Sequence, residues 1–445
     1  MFYREILQQL EQWKQSPNRK PLILRGARQV GKTTVVNEFG KTYDNYLSFN
    51  LENIAKRRLF ERDIPLDMLV EGLFNDAGKA PNNGSTLIFI DEIQNSLHAI
   101  ALLRYFYEQR NDLHVIAAGS LLENVVDINV SFPVGRVQYM AVRPCTFREF
   151  INALNKQHLV KAINSPEHSA VYHEELMALF NCYSVVGGMP EAVKRYVQSG
   201  SVLGMDDVYE TLLQTYIDDV EKYVNGNKLK DVVRHIVTYG WAHAGETITL
   251  GNFAGSRYGA REVGEAFNVL AKAMLVELIY PSTSTSMPAL PEMKRHPKLA
   301  WLDTGLVNYS AGVRDAVISS LNLLDVWRGR IAEHLVAQEL LALSNKVLAR
   351  RSFWTSGKGG STAEVDFTLL HKSNLFPLEV KAGSNSHLRS LHSFIDKAPI
   401  DVAIRVWNQP FSTNDVVTTI GRKPFKLVNI PFYLVGNLPH ILDNL

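Results

Sequence analysis

The sequence is poor in several features that would each define a class of protein. It has only two cysteines among 445 residues, Cys145 and Cys182, which are too few for a disulfide framework and lack zinc-ligand spacing. No apolar run approaches the roughly 18 residues that a membrane helix needs, and the opening residues, with Arg4 and Glu5, lack a signal peptide's apolar core. The 47 basic and 45 acidic residues leave a net charge of +2, which is no polybasic signature. We therefore expect a cytoplasmic protein without membrane contact.

The most informative feature that is present runs from Gly26 to Thr33, which matches Gly-x-x-x-x-Gly-Lys-[Ser/Thr] at every fixed position. Apolar residues 21–24 before it predict a buried strand, and residues 34–39 after it predict a helix. Such a loop directs backbone N–H groups and a helix dipole at one place, where a triphosphate binds. We expect Lys32 to reach the β- and γ-phosphates and the Thr33 hydroxyl to hold Mg²⁺. The predicted cofactors are ATP and Mg²⁺, and the predicted binding residues are Gly26, Ala27, Arg28, Gln29, Val30, Gly31, Lys32, Thr33 and Thr34.

A pair of acids follows a second apolar run. Residues 87–90 predict a central strand of a parallel sheet, and Asp91 and Glu92 come at its carboxyl end, where nucleotides bind in open α/β sheets. Asp91 is predicted to order the Mg²⁺ shell and Glu92 to polarise the attacking water. The alternative is two acids that only cap the strand or the next helix. After another predicted strand, Ser120 is a candidate sensor of the γ-phosphate or, equally, a helix cap.

Together with further segments, these motifs resemble those of AAA-type P-loop ATPases of bacteria and archaea that carry a C-terminal domain of unknown function. The other matching segments are Ala118–Ser120, Gly135-Arg136, Pro144–Phe150, Gly187–Val193 and Asp303–Leu306. The resemblance implies an α/β fold with ATP turnover, and a site often completed across subunits of a homo-oligomer. It also makes Arg136 a candidate for the arginine that stabilises γ-phosphate charge. A solvated or ion-paired Arg136 is the alternative, and Arg28 and Arg143 compete for the role.

The middle of the chain gives weaker signals. Apolar spacing in residues 170–183 and 208–220 predicts helices, and residues 236–320 suggest a helix-turn-helix or winged-helix unit that starts at Ile248. Its second helix, residues 260–272, carries cations that a DNA groove would accept, Arg261 and Lys272. It also carries Glu262 and Glu265. These acids favour an adaptor that packs on the ATPase domain over a region that binds DNA.

A second constellation lies near the end of the chain. Residues 364–370 and 375–381 predict two strands joined by a turn. Because side chains alternate along a strand, Glu379 and Lys381 share a face, and a hairpin brings Asp366 opposite them. This set resembles the core of the PD-(D/E)xK nuclease superfamily, where an upstream helix often adds a glutamate, as Glu333 would here. It predicts metal binding by Asp366 and Glu379, with Lys381 acting on water. An ordinary hairpin with surface charges is the alternative.

The sequence thus predicts an α/β protein: a P-loop ATPase domain (1–150), a helical region (151–235), a winged-helix-like region (236–320) and a nuclease-like α/β domain (321–445). Three functions follow from it. An ATP-dependent enzyme would act on DNA or RNA through the C-terminal domain. A nucleotide-driven switch or scaffold would only bind nucleic acid or a protein partner there. A remodelling ATPase would act on proteins.

Overall fold

The structure is a computed structural model, and it describes residues 2–81, 84–119, 133–222, 224, 226–315, 329–357, 363–381 and 388–445. The chain divides into two compact units. The first comprises residues 3–143 and 345–348, and the second comprises residues 144–344 and 349–445. In the described part of the chain, no helix is long and apolar enough to span a membrane.

The first unit is built on a five-stranded parallel sheet with the order β2-β3-β4-β1-β5. Its strands are β1 Leu22–Arg25, β2 Asn45–Asn50, β3 Thr86–Asp91, β4 His114–Gly119 and β5 Gln138–Ala141. Every residue of β1 and β3 is buried, as expected for strands covered by helices on both faces. The predicted parallel sheet is therefore present, and the carboxyl ends of β1, β3 and β4 meet at one edge.

Helices connect and cover these strands. They are α1 Ile6–Gln15, α2 Lys32–Gly40, α3 Ile54–Phe60, α4 Leu66–Asp76 and α5 Leu97–Gln109. Apolar side chains of β2, β3, α4 and α5 form one contiguous core on one face of the sheet, with Phe49, Phe60 and Phe106 fully buried. This core fixes the strand ends that carry the phosphate loop (Gly26–Thr33) and the acidic pair.

The second unit begins with helices. They are α6 Phe147–Ala153, α7 Gln157–Ala162, α8 Pro166–Ser169, α9 His173–Val186, α10 Pro190–Ser199, α11 Asp206–Lys222, α12 Asn227–Tyr239, α13 Ala260–Lys272 and α14 Thr304–Ser310. Strands β6 Val276–Ile279 and β8 Lys298–Trp301 form a separate antiparallel pair. Helix α13 and strand β6 lie where the sequence predicts a second helix and the start of a wing. The DNA-reading role of this region stays a prediction.

The last part of the second unit is a seven-stranded mixed sheet with the order β13-β14-β12-β11-β10-β9-β7. Its strands are β7 Pro281–Ser282, β9 Ser352–Thr355, β10 Glu364–His371, β11 Asn374–Val380, β12 Val402–Trp407, β13 Ser412–Val417 and β14 Pro424–Pro431. Its helices are α15 Arg330–Ala342, α16 Arg389–Lys397 and α17 Leu438–Asp443. The predicted hairpin is present, since β10 pairs antiparallel with β11 and turns at Lys372 and Ser373, both with positive φ.

A buried polar junction joins segments that are distant in the sequence. The carboxylate of Asp303 accepts the N–H groups of Gly188 at 2.5 Å and of Leu306 at 3.2 Å. Glu339 accepts the Tyr183 hydroxyl at 2.8 Å. These contacts give the Gly187–Val193 and Asp303–Leu306 motifs a structural role within the second unit.

Candidate ATP site and C-terminal acidic cluster

The phosphate loop is tightly wound between β1 and α2. Gln29 and Gly31 have left-handed backbones, with φ of 64° and 93°. A β-carbon on Gly26 would lie less than 3.0 Å from both the Val142 carbonyl oxygen and the Val30 side chain, so only glycine fits there. The loop therefore closes onto the N-terminus of α2, as a phosphate cradle requires.

Two buried cations hold the carbonyl groups of this loop. Lys32 donates from Nζ to the carbonyls of Gly26 at 3.0 Å and Ala27 at 2.9 Å. Arg4, just before α1, donates to the Val30 carbonyl at 3.0 Å and the Arg143 carbonyl at 2.7 Å. The guanidinium of Arg4 thus ties the loop to the chain that leaves β5.

The predicted metal-binding pair is brought together. The Thr33 hydroxyl donates to the Asp91 carboxylate at 2.6 Å, although 58 residues separate them in the sequence. The Glu92 N–H donates to the other Asp91 oxygen at 3.0 Å. Glu92 has a left-handed backbone, with φ of 53°, and its carboxylate accepts a hydrogen bond from Gln94.

Burial tunes the acids of this site. It raises the pKa of Asp91, although the Thr33 hydroxyl and the Glu92 N–H oppose the shift. Burial also raises the pKa of Glu92, with Gln94 and Lys32 opposing. A raised pKa makes Glu92 a better proton acceptor, as a general base requires. The Oε1 atom of Gln94 is buried without a hydrogen-bond partner among the described residues, so it can accept from a ligand or water.

These residues fit Mg²⁺ and a triphosphate. A hydroxyl and a carboxylate are hard oxygen ligands that suit Mg²⁺, and Thr33 and Asp91 already present both to one point. Lys32 lies in the same loop, beside the N–H groups that would face phosphate oxygens.

The arginine candidates are placed differently. Gln138 at the start of β5 pairs with Leu22 at the start of β1, so Arg136 precedes both strands. The phosphate loop follows their far ends, about 13 Å away along four residues of strand. Arg136 instead pairs with Glu108 at 3.2 Å. It is not brought together with this chain's own phosphate loop.

The other candidates lie on or near the loop edge. Arg143 follows β5 at the same edge as the phosphate loop, and its side chain donates to the Lys346 carbonyl at 3.2 Å. Arg28 is in the loop and pairs with Glu52 at 3.1 Å. Strand β4 ends at Gly119, level with Arg25, and Ser120 lies outside the described residues.

In the second unit, the predicted C-terminal residues do converge. The register of β10 and β11 places Phe367 opposite Leu378, so the next pair is Asp366 and Glu379. Asp366 accepts the Val380 N–H at 2.8 Å, and Lys381 pairs with Glu379 at 2.7 Å. Helix α15 brings Glu333 close to Asp366, so that the two carboxylates repel each other when both are charged.

Glu364 and Lys298, both absent from the prediction, complete this site. We define the acidic cluster as its four acids, Glu333, Glu364, Asp366 and Glu379. Glu364 and the buried Lys298 pair at 2.8 Å. Burial and repulsion from Asp366 raise the pKa of Glu333 to about 7 and that of Glu379 to about 8. Carboxylates crowded in this way retain protons that isolated acids would release.

The predicted metal ligands Asp366 and Glu379 share their surroundings with a lysine ammonium in this arrangement. Among the residues that the structure describes, no three His, Cys, Asp or Glu side chains are grouped as metal ligands would be. The Lys298 ammonium lies beside two of these acids instead, 3.4 Å from Glu333 and 3.8 Å from Asp366. The metal assignment at these two acids therefore stays a prediction.

Comparison with known protein families identifies the domain that contains the phosphate loop. Residues 18–151, which contain the phosphate loop and the Asp91 strand, match the AAA domain family. The chain carries an AAA-type P-loop ATPase domain. A P-loop ATPase domain binds nucleotide, so residues 18–151 are a nucleotide-binding domain. Residues 177–316 match a domain of unknown function (DUF8612), and residues 328–427 match another domain of unknown function (DUF4143). No curated protein matches the chain in sequence.

Solved structures share parts of its architecture at low identity. The Walker-type ATPase PABY2304 of Pyrococcus abyssi is 15% identical with a TM-score of 0.42, over 70% of this chain and 96% of that one. The Orc1 protein of Aeropyrum pernix, solved in complex with DNA, is 11% identical with a TM-score of 0.28, over 72% and 94%. The RuvB Holliday junction branch migration motor of Thermotoga maritima is 14% identical with a TM-score of 0.27, over 62% and 90%. With TM-scores this low, none of these similarities supports a functional assignment.

Sequence reasoning missed four residues of these sites, of which Glu364 lies in the predicted strand β10 itself. Arg4 and Lys298 act through contacts across 26 or more positions, and no local pattern marks them. Gln94 stands in the acidic motif itself, only two residues after Glu92. Its position beside a predicted general base was the one signal that could have identified it.

Proposed function

We propose that the AAA domain hydrolyses ATP with Mg²⁺ as cofactor. The observation that carries this proposal is the 2.6 Å contact between Thr33 and Asp91, with Glu92 next to it and Lys32 in the same loop. This set contains a phosphate-binding ammonium, two oxygen ligands for the metal and a half-buried base. When bound, Mg²⁺ would supply charge stabilisation to the phosphates, held by Thr33 and Asp91.

The protein residues then have separate tasks. Lys32 would exchange its loop carbonyls for phosphate oxygens. Glu92, whose pKa is raised by burial, would take a proton from water as the water oxygen attacks the γ-phosphorus and the bond to the bridging oxygen breaks. Gln94 would hold Glu92 through its amide N–H and accept from the water through its free Oε1.

Phosphate release and binding of a fluorescent ATP analogue test this proposal. Lys32→Ala should lose both binding and turnover, because it removes the ammonium that meets the phosphates. A Lys32→Ala protein that still releases phosphate at the wild-type rate would exclude this site as the source of activity.

The arginine variants test whether the site is completed by a second copy of the chain. Arg143→Ala should lower turnover of an isolated chain if Arg143 acts from its own loop edge. Because Arg136 lies at the opposite edge, Arg136→Ala should lower turnover only if Arg136 reaches a neighbour's site. A loss in Arg136→Ala that is restored by mixing with Lys32→Ala would indicate a homo-oligomer with shared sites.

A second function is favoured for the C-terminal domain by one observation, the convergence of Glu333, Asp366, Glu379 and Lys381. We infer a nuclease-like domain that acts on or binds nucleic acid under control of the ATPase. Because Lys298 occupies the acidic cluster, we derive no cleavage step through a metal here.

Cleavage assays on single- and double-stranded DNA and RNA, with and without ATP, separate the alternatives. Cutting that disappears in Asp366→Ala and Lys381→Ala would support an ATPase–nuclease. ATP hydrolysis without cutting in any divalent metal would instead favour a nucleotide-driven switch that binds nucleic acid or a protein partner.

A further inference from the structure

Lys298 is a buried lysine that reaches the acidic cluster from a strand outside the β10–β11 hairpin. It begins β8, which pairs with β6 rather than with the seven-stranded sheet. Its side chain is only 7% exposed. The ammonium also lies 4.9 Å from the ring centre of Phe353, so an aromatic face covers it. A lysine is rarely this buried unless its charge is matched.

The charge of Lys298 is matched by three carboxylates at once. Its Nζ lies 2.8 Å from Glu364, 3.4 Å from Glu333 and 3.8 Å from Asp366. Three carboxylates within 4 Å on one buried side chain hold Lys298 as a cation at the centre of these acids.

The cluster still has capacity for positive charge on its other side. Four carboxylates and two ammonium groups, Lys298 and Lys381, give a formal balance of −4 + 2 = −2 when all are ionised. The Glu379 Oε2 atom is buried without a hydrogen-bond partner among the described residues, while Oε1 pairs with Lys381. An unpaired buried carboxylate oxygen is costly, so Glu379 Oε2 is an atom of the cluster at which a proton or a further cation would bind.

We propose that Lys298 is the resident cation of the acidic cluster and competes with divalent metal ions for it. A metal ion approaching Glu379 Oε2 and Asp366 would meet an ammonium group already in contact with Asp366 and with two further acids. The cluster thus accepts a divalent ion only weakly while Lys298 is in place. This inference rests on the nuclease-like site proposed above and adds a residue that controls its metal occupancy.

Titration of the nucleotide-free full-length protein with Mn²⁺, followed by the electron paramagnetic resonance signal of free Mn²⁺, tests the competition. Binding is measured in wild type and Lys298→Met, each with and without Asp366→Asn, so that the Asp366-dependent part is isolated. Lys298→Met should bind Mn²⁺ at this site at least about tenfold more tightly. The Lys298 ammonium, roughly 4 Å from the Asp366 carboxylate, repels a metal ion bound there. This repulsion weakens binding by more than that factor even when it is partly screened.

Matched variants keep the result interpretable. Lys372→Met makes the same chemical change in the turn of the β10–β11 hairpin, where the side chain is 69% exposed, and should leave Mn²⁺ binding unchanged. Lys298→Gln keeps hydrogen bonding to the acids and should also tighten binding, which provides a second variant if the methionine protein does not fold. Circular dichroism spectra confirm folding in each case.

Equal Asp366-dependent affinity in wild type and in the folded Lys298 variants would overturn the competition and leave the metal site of the proposed nuclease intact. Absence of Asp366-dependent binding from every variant would overturn both the inference and the metal-dependent nuclease. Tighter binding in Lys298→Met that disappears with Asp366→Asn would support it.

Discussion

Substitution of Arg4 by methionine removes the tether between the phosphate loop and the chain after β5. Arg4 is 5% exposed and donates to the carbonyls of Val30 and Arg143 at 3.0 and 2.7 Å. Methionine fills part of the same volume but donates no hydrogen bond. The substitution therefore leaves two carbonyl groups without the guanidinium, one of them in the phosphate loop.

The expected cost follows from those two bonds. A hydrogen bond to a charged group contributes roughly 1.5–3 kcal/mol, so the lower bound for two is about 3 kcal/mol. Because the Val30 carbonyl belongs to the phosphate loop, much of this loss should fall on the ordered form of the loop that binds phosphate. If it falls there entirely, ATP binding weakens by about 100-fold, since each 1.4 kcal/mol or so is a factor of ten.

The assay pairs an ATP-binding titration with thermal unfolding, so that loss of loop order and loss of overall stability are both recorded. Lys14→Met is the matched control, because Lys14 in α1 donates to the Thr42 carbonyl at 2.8 Å from an exposed position. It should change stability by no more than about 0.5 kcal/mol. An Arg4→Met protein that binds ATP within twofold of wild type and unfolds at the same temperature would refute the reasoning.

Three further predictions follow. Glu92→Gln should keep ATP binding but lower phosphate release by about 10²–10⁴-fold, because the amide cannot accept a proton; unchanged turnover would exclude Glu92 as the base. Gly188→Ala should destabilise the second unit by about 3 kcal/mol or more, since a β-carbon there would lie under 3.0 Å from a backbone oxygen. Gly264→Ala, in the middle of α13 with its nearest neighbour at 3.7 Å, should stabilise it by about 0.5–1 kcal/mol, and urea unfolding of the two variants should move in opposite directions. The pKa of Glu379 is raised to about 8 in the folded chain, so the folded state holds a proton that the unfolded state releases above roughly pH 4.3. Stability should therefore fall as pH rises from about 4.3 to 8, and Glu379→Gln should flatten the dependence of the urea midpoint; an identical slope in the variant would contradict the assignment.

Elements whose structure is local could be predicted from the sequence. The phosphate loop, the strand before it and the helix after it occupy consecutive residues, and the hydrogen bonds from Lys32 to the loop carbonyls lie within that stretch. The β10–β11 hairpin likewise joins neighbouring segments, so alternation of side chains was enough to place Asp366 opposite Glu379. Helix α13 was predicted over Ala260–Lys272 and has these bounds. The DNA-reading role of that region and the four-part division of the chain stay predictions.

Contacts between distant residues could not be predicted in the same way. Gly135-Arg136 resembles a segment of AAA-type ATPases, which made Arg136 a candidate for the γ-phosphate. The parallel pairing of β5 with β1 places it at the edge opposite the phosphate loop. The order of strands in a sheet depends on how all of them pack together, and Gly135-Arg136 carries no trace of it.

The sequence by itself determined that this chain has a phosphate loop, an acidic strand end and an acidic hairpin, because each is a short pattern with its own local geometry. Only the tertiary structure decided which cations meet those patterns. Arg4 reaches the phosphate loop and Lys298 reaches the acidic cluster through pairings across 26 and at least 35 positions. Such pairings form only when the packing of the core brings remote segments together and excludes the water that would otherwise solvate their charges.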